Sequence, residues 1–545
     1  MTTRPLPQPT LASAEFWASG ADGVLRIPHC ADCDRYFHPP LPVCPSCRGR
    51  SVALAPVSGR AVVVGFSVNH QTWLPDFPPP YVVAVVALAE DDRARLTTNI
   101  VGCDPDEVKV GLRVRVRFEH HDDVHLPLFE PDPGAEGPGP LPRPREVRAR
   151  PMASPRKYED RVALTGVGQS RVGRRLMVDP LSLTVDACLA AVADAGLDLD
   201  EIDGLSTYPG PSPDGMSEGG VTALTEALQL RPTWVNGARE VPGQIGSITA
   251  GMLAVAAGLC RHVLCFRTVW ESSHSALVRA GRWQSGGGPA TGMFEFRAPF
   301  GAMSAAQWIG CHASHYLHRY GVGREALGAI AVTARTNAGR NPEALHRDPM
   351  TLDDYFDARM ITTPFGLYDC DVPCDGAVAV VVSAIETAYD RPRPPVLVES
   401  VGTAVLERLS WDQDTLTHLP QSRGPAAHVW TRTDLTPADV DVALLYDGFT
   451  FNALSWMEGL GFCGPGEATD FIGDGKTISL DGRLPLNPHG GQLSAGRLHG
   501  YGFVREAMLQ LRGDAPGRQV EGARVAVVTA GGGVPSGAML LRKAE

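Results

Sequence analysis

Two kinds of hydrophobic pattern divide this chain. From Arg161 onward, apolar runs of strand length alternate with stretches whose apolar residues recur at helical spacing. That alternation predicts a layered α/β unit. Before residue 128 the apolar runs are short and punctuated by turn residues: Ala61-Val-Val-Val-Gly-Phe66, Tyr81-Val-Val-Ala-Val-Val-Ala-Leu88, Leu96-Thr-Thr-Asn-Ile-Val101 and Leu112-Arg-Val-Arg-Val-Arg-Phe118. The last alternates strictly, one face apolar and one basic. These runs predict a small all-β barrel, preceded by a helical segment. Between the regions, residues 129–160 carry Pro-Asp-Pro-Gly-Ala-Glu-Gly-Pro-Gly-Pro and then basic residues with further prolines. This stretch cannot bury a core and reads as a linker, mobile or draped over a surface.

The α/β region repeats itself. Val162-Ala-Leu-Thr-Gly-Val-Gly168 is matched by Val396-Leu-Val-Glu-Ser-Val-Gly402. Asp200-Glu-Ile-Asp203 leads into one strand and Ala438-Asp-Val-Asp441 into another. Trp234-Val-Asn236 runs to a Gly243-Gln244 turn, and Leu486-Asn487 to a Gly491-Gln492 turn. Four elements recurring in one order predict two tandem halves, about 161–392 and 393–545.

Length and charge narrow the partners. A chain of 545 residues is too long for one core. Its net charge of −12 argues against nucleic acid. No window reaches the ~20 apolar residues a bilayer span requires, and Met1–Glu15 has no signal-peptide core, so the expectation is a cytoplasmic protein without a membrane partner. The 12 cysteines are then expected to be reduced or metal-bound. Cys30-Ala-Asp-Cys33 and Cys44-Pro-Ser-Cys47 form two C-x-x-C knuckles that can close a four-thiolate zinc site. With all four positions taken by protein, such a zinc is structural.

The order helix, four-cysteine ribbon, barrel resembles the zinc-ribbon/OB-fold proteins that accompany thiolase-like and acyl-CoA enzymes. Cys33-Asp-Arg-Tyr-Phe-His-Pro-Pro40 is similar to that family's aromatic-proline link. The resemblance implies an OB barrel with a rubredoxin-like ribbon over residues 1–128, here fused to the enzyme it would otherwise meet as a separate chain. Residues 161–545 resemble the sterol-carrier-protein-x branch of thiolases, often called lipid-transfer proteins. Tyr446-Asp-Gly-Phe449, Asn487-Pro-His-Gly-Gly491, Leu493-Ser-Ala-Gly-Arg-Leu-His-Gly500 and Ala530-Gly-Gly-Gly533 carry that likeness. It implies a thiolase fold of duplicated αβαβα halves, a CoA thioester as substrate and a homodimer.

Against that family three residues are missing. The turn Val241-Pro-Gly-Gln-Ile-Gly-Ser-Ile-Thr249, where thiolases keep a nucleophilic cysteine at a helix N-terminus, holds none. Ser247 stands nearby, with a helix-cap or packing role favoured. Arg497 replaces the histidine of the Gly-His-Pro phrase, and Thr529-Ala530 replace the cysteine before the glycine run. Cys370 and Cys374 read as small buried residues. Tyr446 remains, and a tyrosine there is similar to the thiolase-like aldolases of steroid side-chain breakdown, which form no covalent intermediate. The resemblance implies a retro-aldol cleavage of a β-hydroxy acyl-CoA to a ketone or aldehyde and a shorter acyl-CoA. Tyr446 would be the acid/base group, its pKa lowered by Arg497 or a helix terminus. Arg497 and His499 would shape the charged site, with Asp447 and Tyr501 supporting. No dinucleotide fingerprint calls for a redox cofactor. Acyl transfer in secondary metabolism and a non-catalytic acyl-CoA scaffold stabilising a hydratase or dehydrogenase partner are the rival readings.

Overall fold

The computed structural model describes residues 4–142, 151–210, 219–238, 241, 243–283, 289–406, 420–531 and 536–545. After a short helix, Ala14–Ala18, strands β1 (Arg26–Cys30), β2 (Arg35–Tyr36) and β3 (Val52–Pro56) form a small antiparallel sheet in the order β2-β1-β3. Cys30 ends β1, Cys33 lies in the β1–β2 turn, and Cys44 and Cys47 lie in the loop before β3. Their four sulfurs converge within 4.8 Å of one another. The Cys30–Cys47 and Cys33–Cys44 Sγ pairs are 3.5 and 3.6 Å apart. This is a thiolate set a tetrahedral zinc fits.

Strands β4 (Arg60–Asn69), β5 (Tyr81–Leu88), β6 (Arg95–Ile100), β7 (Arg113–His121) and β8 (Val124–Pro131) close into a barrel. β4 pairs with β5 and β7, β5 with β6, β6 with β8, and β8 with β7. Val63, Val86, Leu96, Val114, Leu126 and Phe129 fill it. The basic face of β7 is neutralised locally, since Arg115 pairs with Glu130 of β8 at 2.7 Å. The fifth strand, β8, carries the barrel to Pro131, into the stretch read as linker. The far end of that stretch packs down as well: Glu159 is fully buried and bidentate with Arg432 at 2.7 Å on both oxygens.

The remaining strands are β9 (Val162–Gln169), β10 (Gly204–Thr207), β11 (Trp234–Asn236), β12 (His262–Trp270), β13 (Met360–Thr362), β14 (Phe365–Gly366), β15 (Asp375–Ala384), β16 (Val396–Gly402), β17 (Val442–Leu444), β18 (Val525–Ala530) and β19 (Gly537–Lys543). Nine of them form one sheet in the order β11-β10-β12-β15-β9-β16-β19-β18-β17. The order is a palindrome about the β9–β16 seam: β9 answers β16, β15 answers β19, β12 answers β18, and β10 answers β17. Even β11 has a counterpart, because Leu486 bridges Ala443 of β17 in parallel as β11 pairs with β10. The duplication expected from the repeated phrases is therefore present in the topology.

β13 and β14 leave that sheet and join the barrel, Thr362 pairing with Asn69 of β4. The helix Ala305–Tyr320 lies along β4, and Ser314 Oγ accepts the Phe66 amide at 2.9 Å. Val64, Val83, Val85 and Ala87 share one hydrophobic cluster with Ile309 and Cys311. The outward face of the barrel is thus part of the α/β core, a continuity that composition alone does not reveal. Among the described residues no helix is long and apolar enough to cross a membrane.

Candidate active site

The site grows from the end of β17. Asn487 holds that end as an additional strand residue would. Its Oδ1 accepts the Leu445 amide, and its Nδ2 donates to the Leu445 carbonyl, both at 2.9 Å. The next amide, that of Tyr446, donates to Thr529 Oγ1 of β18 at 2.8 Å. The Tyr446 ring folds back over Gly448, where a Cβ would sit 2.7 Å from Cε1 and 3.3 Å from the hydroxyl, so a side chain at 448 would displace the ring. The Gly448 carbonyl accepts the Asp371 amide at 3.1 Å. That bond brings the Tyr368–Cys374 segment alongside the tyrosine.

Asp447 organises the loop beyond. Its carboxylate accepts Asn487 Nδ2 at 3.0 Å and the Gln492 amide at 2.8 Å. It sits so close that a Cβ on Gly491, at φ 60°, would fall 1.8 Å from Oδ2. The loop then makes a π-helical turn, Gly491–Ala495. Such turns are rare and cluster at functional sites. Asn487 and His499 both adopt left-handed backbone, at φ 46° and 48°, which non-glycine residues sustain only when the surroundings fix them. Burial pushes the Asp447 carboxyl up to about 7, against the hydrogen bonds it accepts.

Arg497 reaches two carboxylates. Nη1 meets Asp371 Oδ1 at 3.1 Å, and Nη2 bonds Glu271, which opens the helix Glu271–Arg279 after β12. Two buried carboxylates against one guanidinium leave one negative charge uncompensated. Burial pushes Asp371 up to about 7, with Arg497 pulling down and Glu271 pushing up. Tyr446 is affected in turn. Burial holds its hydroxyl well above the ordinary phenol range, Asp371 adds to that, and Arg497 and the Gln492 amide offset only part. Arg497 does pull the tyrosine down, as expected, but burial outweighs that pull, so the expectation of a net lowered hydroxyl is corrected.

His499 is neutral. Burial, Arg267 and Arg497 all hold its pKa well down. Its Nδ1 lies 2.8 Å from Arg267 Nη2, which can only donate, so Nδ1 accepts and the proton sits on Nε2. Nε2 is 3.9 Å from Glu271. This ring is a hydrogen-bond donor towards the site, not a free base. Tyr501 is elsewhere engaged: fully buried, its hydroxyl is 2.7 Å from Ser247 Oγ. Ser247 donates to the Gln244 carbonyl at 3.1 Å, so Tyr501 donates to Ser247, and both serve packing between helices. Ser247 lies inside the first turn of Gly246–Ala256 and does not cap it.

The surroundings of Cys370 and Cys374 disfavour a thiolate. Burial pushes Cys370 and Cys374 well above an ordinary thiol, and Cys374 Sγ points at the Arg497 carbonyl, 3.5 Å away. A thiolate nucleophile needs the opposite environment. Tyr446, Asp447, Arg497 and His499 of the sequence-derived set come together; Tyr501 stands behind them. Asp371, Glu271 and Gln492 were missed. Asp371 lies in the phrase that drew attention for its cysteines, and nothing in local spacing links residue 271 to residue 497.

Three family models match. They are described as "Thiolase C-terminal domain-like" over residues 402–541, "ChsH2, C-terminal OB-fold domain" over 55–119, and "ChsH2, rubredoxin-like zinc ribbon domain" over 17–53. A "Steroid side-chain-cleaving aldolase" of Thermomonospora curvata is 34% identical over 386 residues, covering 70% of this chain and 97% of that one. A "17-hydroxy-3-oxo-4-pregnene-20-carboxyl-CoA lyase" of Mycobacterium tuberculosis is 33% identical over 385 residues, covering 70% and 98%. Among solved structures, an "Ltp2-ChsH2(DUF35) aldolase" aligns with TM-score 0.63 and 31% identity, over 70% of this chain and 98% of its own.

Proposed function

Because the chain belongs to the thiolase-like family of steroid side-chain-cleaving aldolases, we propose a reaction path for it through Tyr446 and Asp371. The enzyme is an acyl-CoA retro-aldolase, a carbon–carbon lyase. Its substrate is a β-hydroxy acyl-CoA with a bulky, steroid-like body, as the relatives' names suggest. The β-hydroxyl loses its proton, and the Cα–Cβ bond breaks. The carbinol carbon becomes a ketone or aldehyde, and the bond's electron pair passes to the thioester as an enolate. Protonation at Cα then releases a shorter acyl-CoA.

No step needs a nucleophile, and the observation that carries the reading is the buried set of Asp371, Glu271 and Arg497 beside Tyr446, flanked by thiols that burial pushes well above an ordinary thiol. A tyrosine held protonated does not begin as a base. It works as a relay, taking the substrate's proton while passing its own to Asp371, whose carboxyl burial pushes up to about 7. The same path in reverse returns a proton to Cα. Arg497 keeps the two carboxylates in place and limits their mutual repulsion. His499 contributes an Nε2–H donor.

Cys30, Cys33, Cys44 and Cys47 would hold a structural zinc, which would tie together the small sheet whose Ile27, Tyr36 and Leu54 pack on the barrel. A homodimer is part of this reading, supported by the edge strand β11, whose Val235 is half exposed and whose outer hydrogen-bonding groups have no strand neighbour among the described residues. A complex with an acyl-CoA hydratase would supply the β-hydroxy substrate directly, and a cytoplasmic location suits CoA chemistry. The reading is tested by incubating the purified chain with β-hydroxy acyl-CoA esters of varied body and resolving the products by mass spectrometry. A ketone or aldehyde should appear with a shorter acyl-CoA; hydrolysis or acyl transfer instead would reject it.

A further inference from the structure

We propose that the side-chain amide of Gln492 is the hydrogen-bond donor to the thioester enolate oxygen, an inference that rests on the retro-aldol reading above. Gln492 is fixed at three points. Its backbone amide donates to Asp447 Oδ1 at 2.8 Å, and the π-helical turn Gly491–Ala495 sets its direction. Its side-chain Oε1 accepts the His499 amide at 3.1 Å, a bond that the left-handed backbone of His499 aims inward. With the oxygen end committed, the nitrogen end must face the other way. There it stands near enough to the Tyr446 hydroxyl to influence its ionisation. Gln492 is 2% exposed, yet its Nε2 closes no hydrogen bond.

A buried donor without an acceptor costs roughly 1–3 kcal/mol. Holding one rigidly in place is what electrostatic preorganisation requires: the donor waits where charge will develop and need not reorganise when it does. The other donors of the site lean on carboxylates: Arg497 is bound through its two Nη atoms to Asp371 and Glu271, and the His499 Nε2–H lies 3.9 Å from Glu271, whereas the Gln492 amide faces no carboxylate through its Nε2. Gln492 is neutral across the working pH range, so it stabilises the enolate oxygen without protonating it. The proton therefore goes to Cα and the oxygen leaves as a thioester carbonyl, which balances the step.

Gln492→Glu is the discriminating variant. It keeps an oxygen for the His499 amide and removes the NH2 donor. Gln492→Met, which removes both, is the second. Two readouts separate the roles: steady-state cleavage of a β-hydroxy acyl-CoA, and exchange of the α-protons of acetyl-, propionyl- and butyryl-CoA in D2O. Enolate formation alone drives the exchange. For both variants we expect kcat and the exchange rate to fall together by about 10²–10³-fold, with KM near the wild-type value. Wild-type exchange and kcat in Gln492→Glu would overturn the inference while leaving the aldolase reading intact. A wild-type enzyme that exchanges α-protons but cleaves no β-hydroxy ester would overturn the aldolase reading, and the exchange rates of the variants would still decide the role of Gln492.

Discussion

The two halves of the α/β unit carry the same turn twice and use it differently. In the first half, Asn236 at the end of β11 donates to Ser206 Oγ at 3.0 Å, and Ser206 in turn donates to the Ser247 carbonyl. The glutamine of the following turn, Gln244, leaves its Oε1 without a partner. In the second half, Asn487 donates to the carboxylate of Asp447, and Gln492 uses its oxygen while leaving its nitrogen unpaired. One frame holds neutral hydroxyls in a packing seam; the other holds the Asp447 carboxylate, Arg497 and Tyr446, and draws Asp371 and Glu271 across from the first half. Duplication supplies the geometry. Whether a half is reactive depends on a handful of side chains at the ends of equivalent strands.

The contrast can be broken most sharply at the tyrosine. Tyr446→Phe should lower kcat by at least about a hundredfold with KM little changed, since it removes the relay and keeps the ring that packs on Phe503. A Tyr501→Phe enzyme, measured in the same assay, should lose far less, because Tyr501 bonds only to the first-half seam.

The next effect concerns proton storage. Asp371, pushed up to about 7, must be ionised to receive the relayed proton, so kcat/KM should rise with pH through about 7 and level off above it. Asp371→Asn should abolish that limb as well as slowing turnover, whereas a purely structural role would slow turnover and leave the limb in place. The limb must be read against the groups facing Asp371, namely Arg497, Glu271, Tyr446, Asp447, Cys370 and Cys374.

Stability should separate the halves more gently. Asp447→Ala strips the buried Gln492 amide of its acceptor, about 1–3 kcal/mol, and should lower the thermal midpoint along with activity. Ser206→Ala, the first-half counterpart, should cost about 1 kcal/mol and leave kcat unchanged, read by the same melting curves and rate assay. The smallest effects belong to the thiols. Cys370→Ala and Cys374→Ala should each retain most activity, and iodoacetamide should leave turnover intact.

Much of this was legible in the chain because it is written in local phrases. The ribbon follows from four cysteines at knuckle spacing, and the duplicated sheet from strand phrases recurring in one order. Tyr446, Asp447, Arg497 and His499, which the structure gathers in one place, could be singled out because they lie in two short loops of the second half. The fifth barrel strand was lost because its prolines, Pro127 and Pro131, resemble the linker that follows. The docking of barrel on α/β core depends on β13 and β14, which lie some three hundred residues from β4 in sequence. Asp371 and Glu271 depend on long-range pairing with Arg497 for their meaning. The direction of the Tyr446 shift was misjudged because burial, which dominates it, is not visible in a sequence.

The central claim is cleavage without a covalent intermediate. Intact-protein mass spectrometry on enzyme quenched during steady-state turnover of a β-hydroxy acyl-CoA tests it directly. The account predicts an unmodified protein mass while ketone or aldehyde and shorter acyl-CoA accumulate in equal amounts. A protein mass increased by an acyl group, turning over at the rate of product formation, would contradict it.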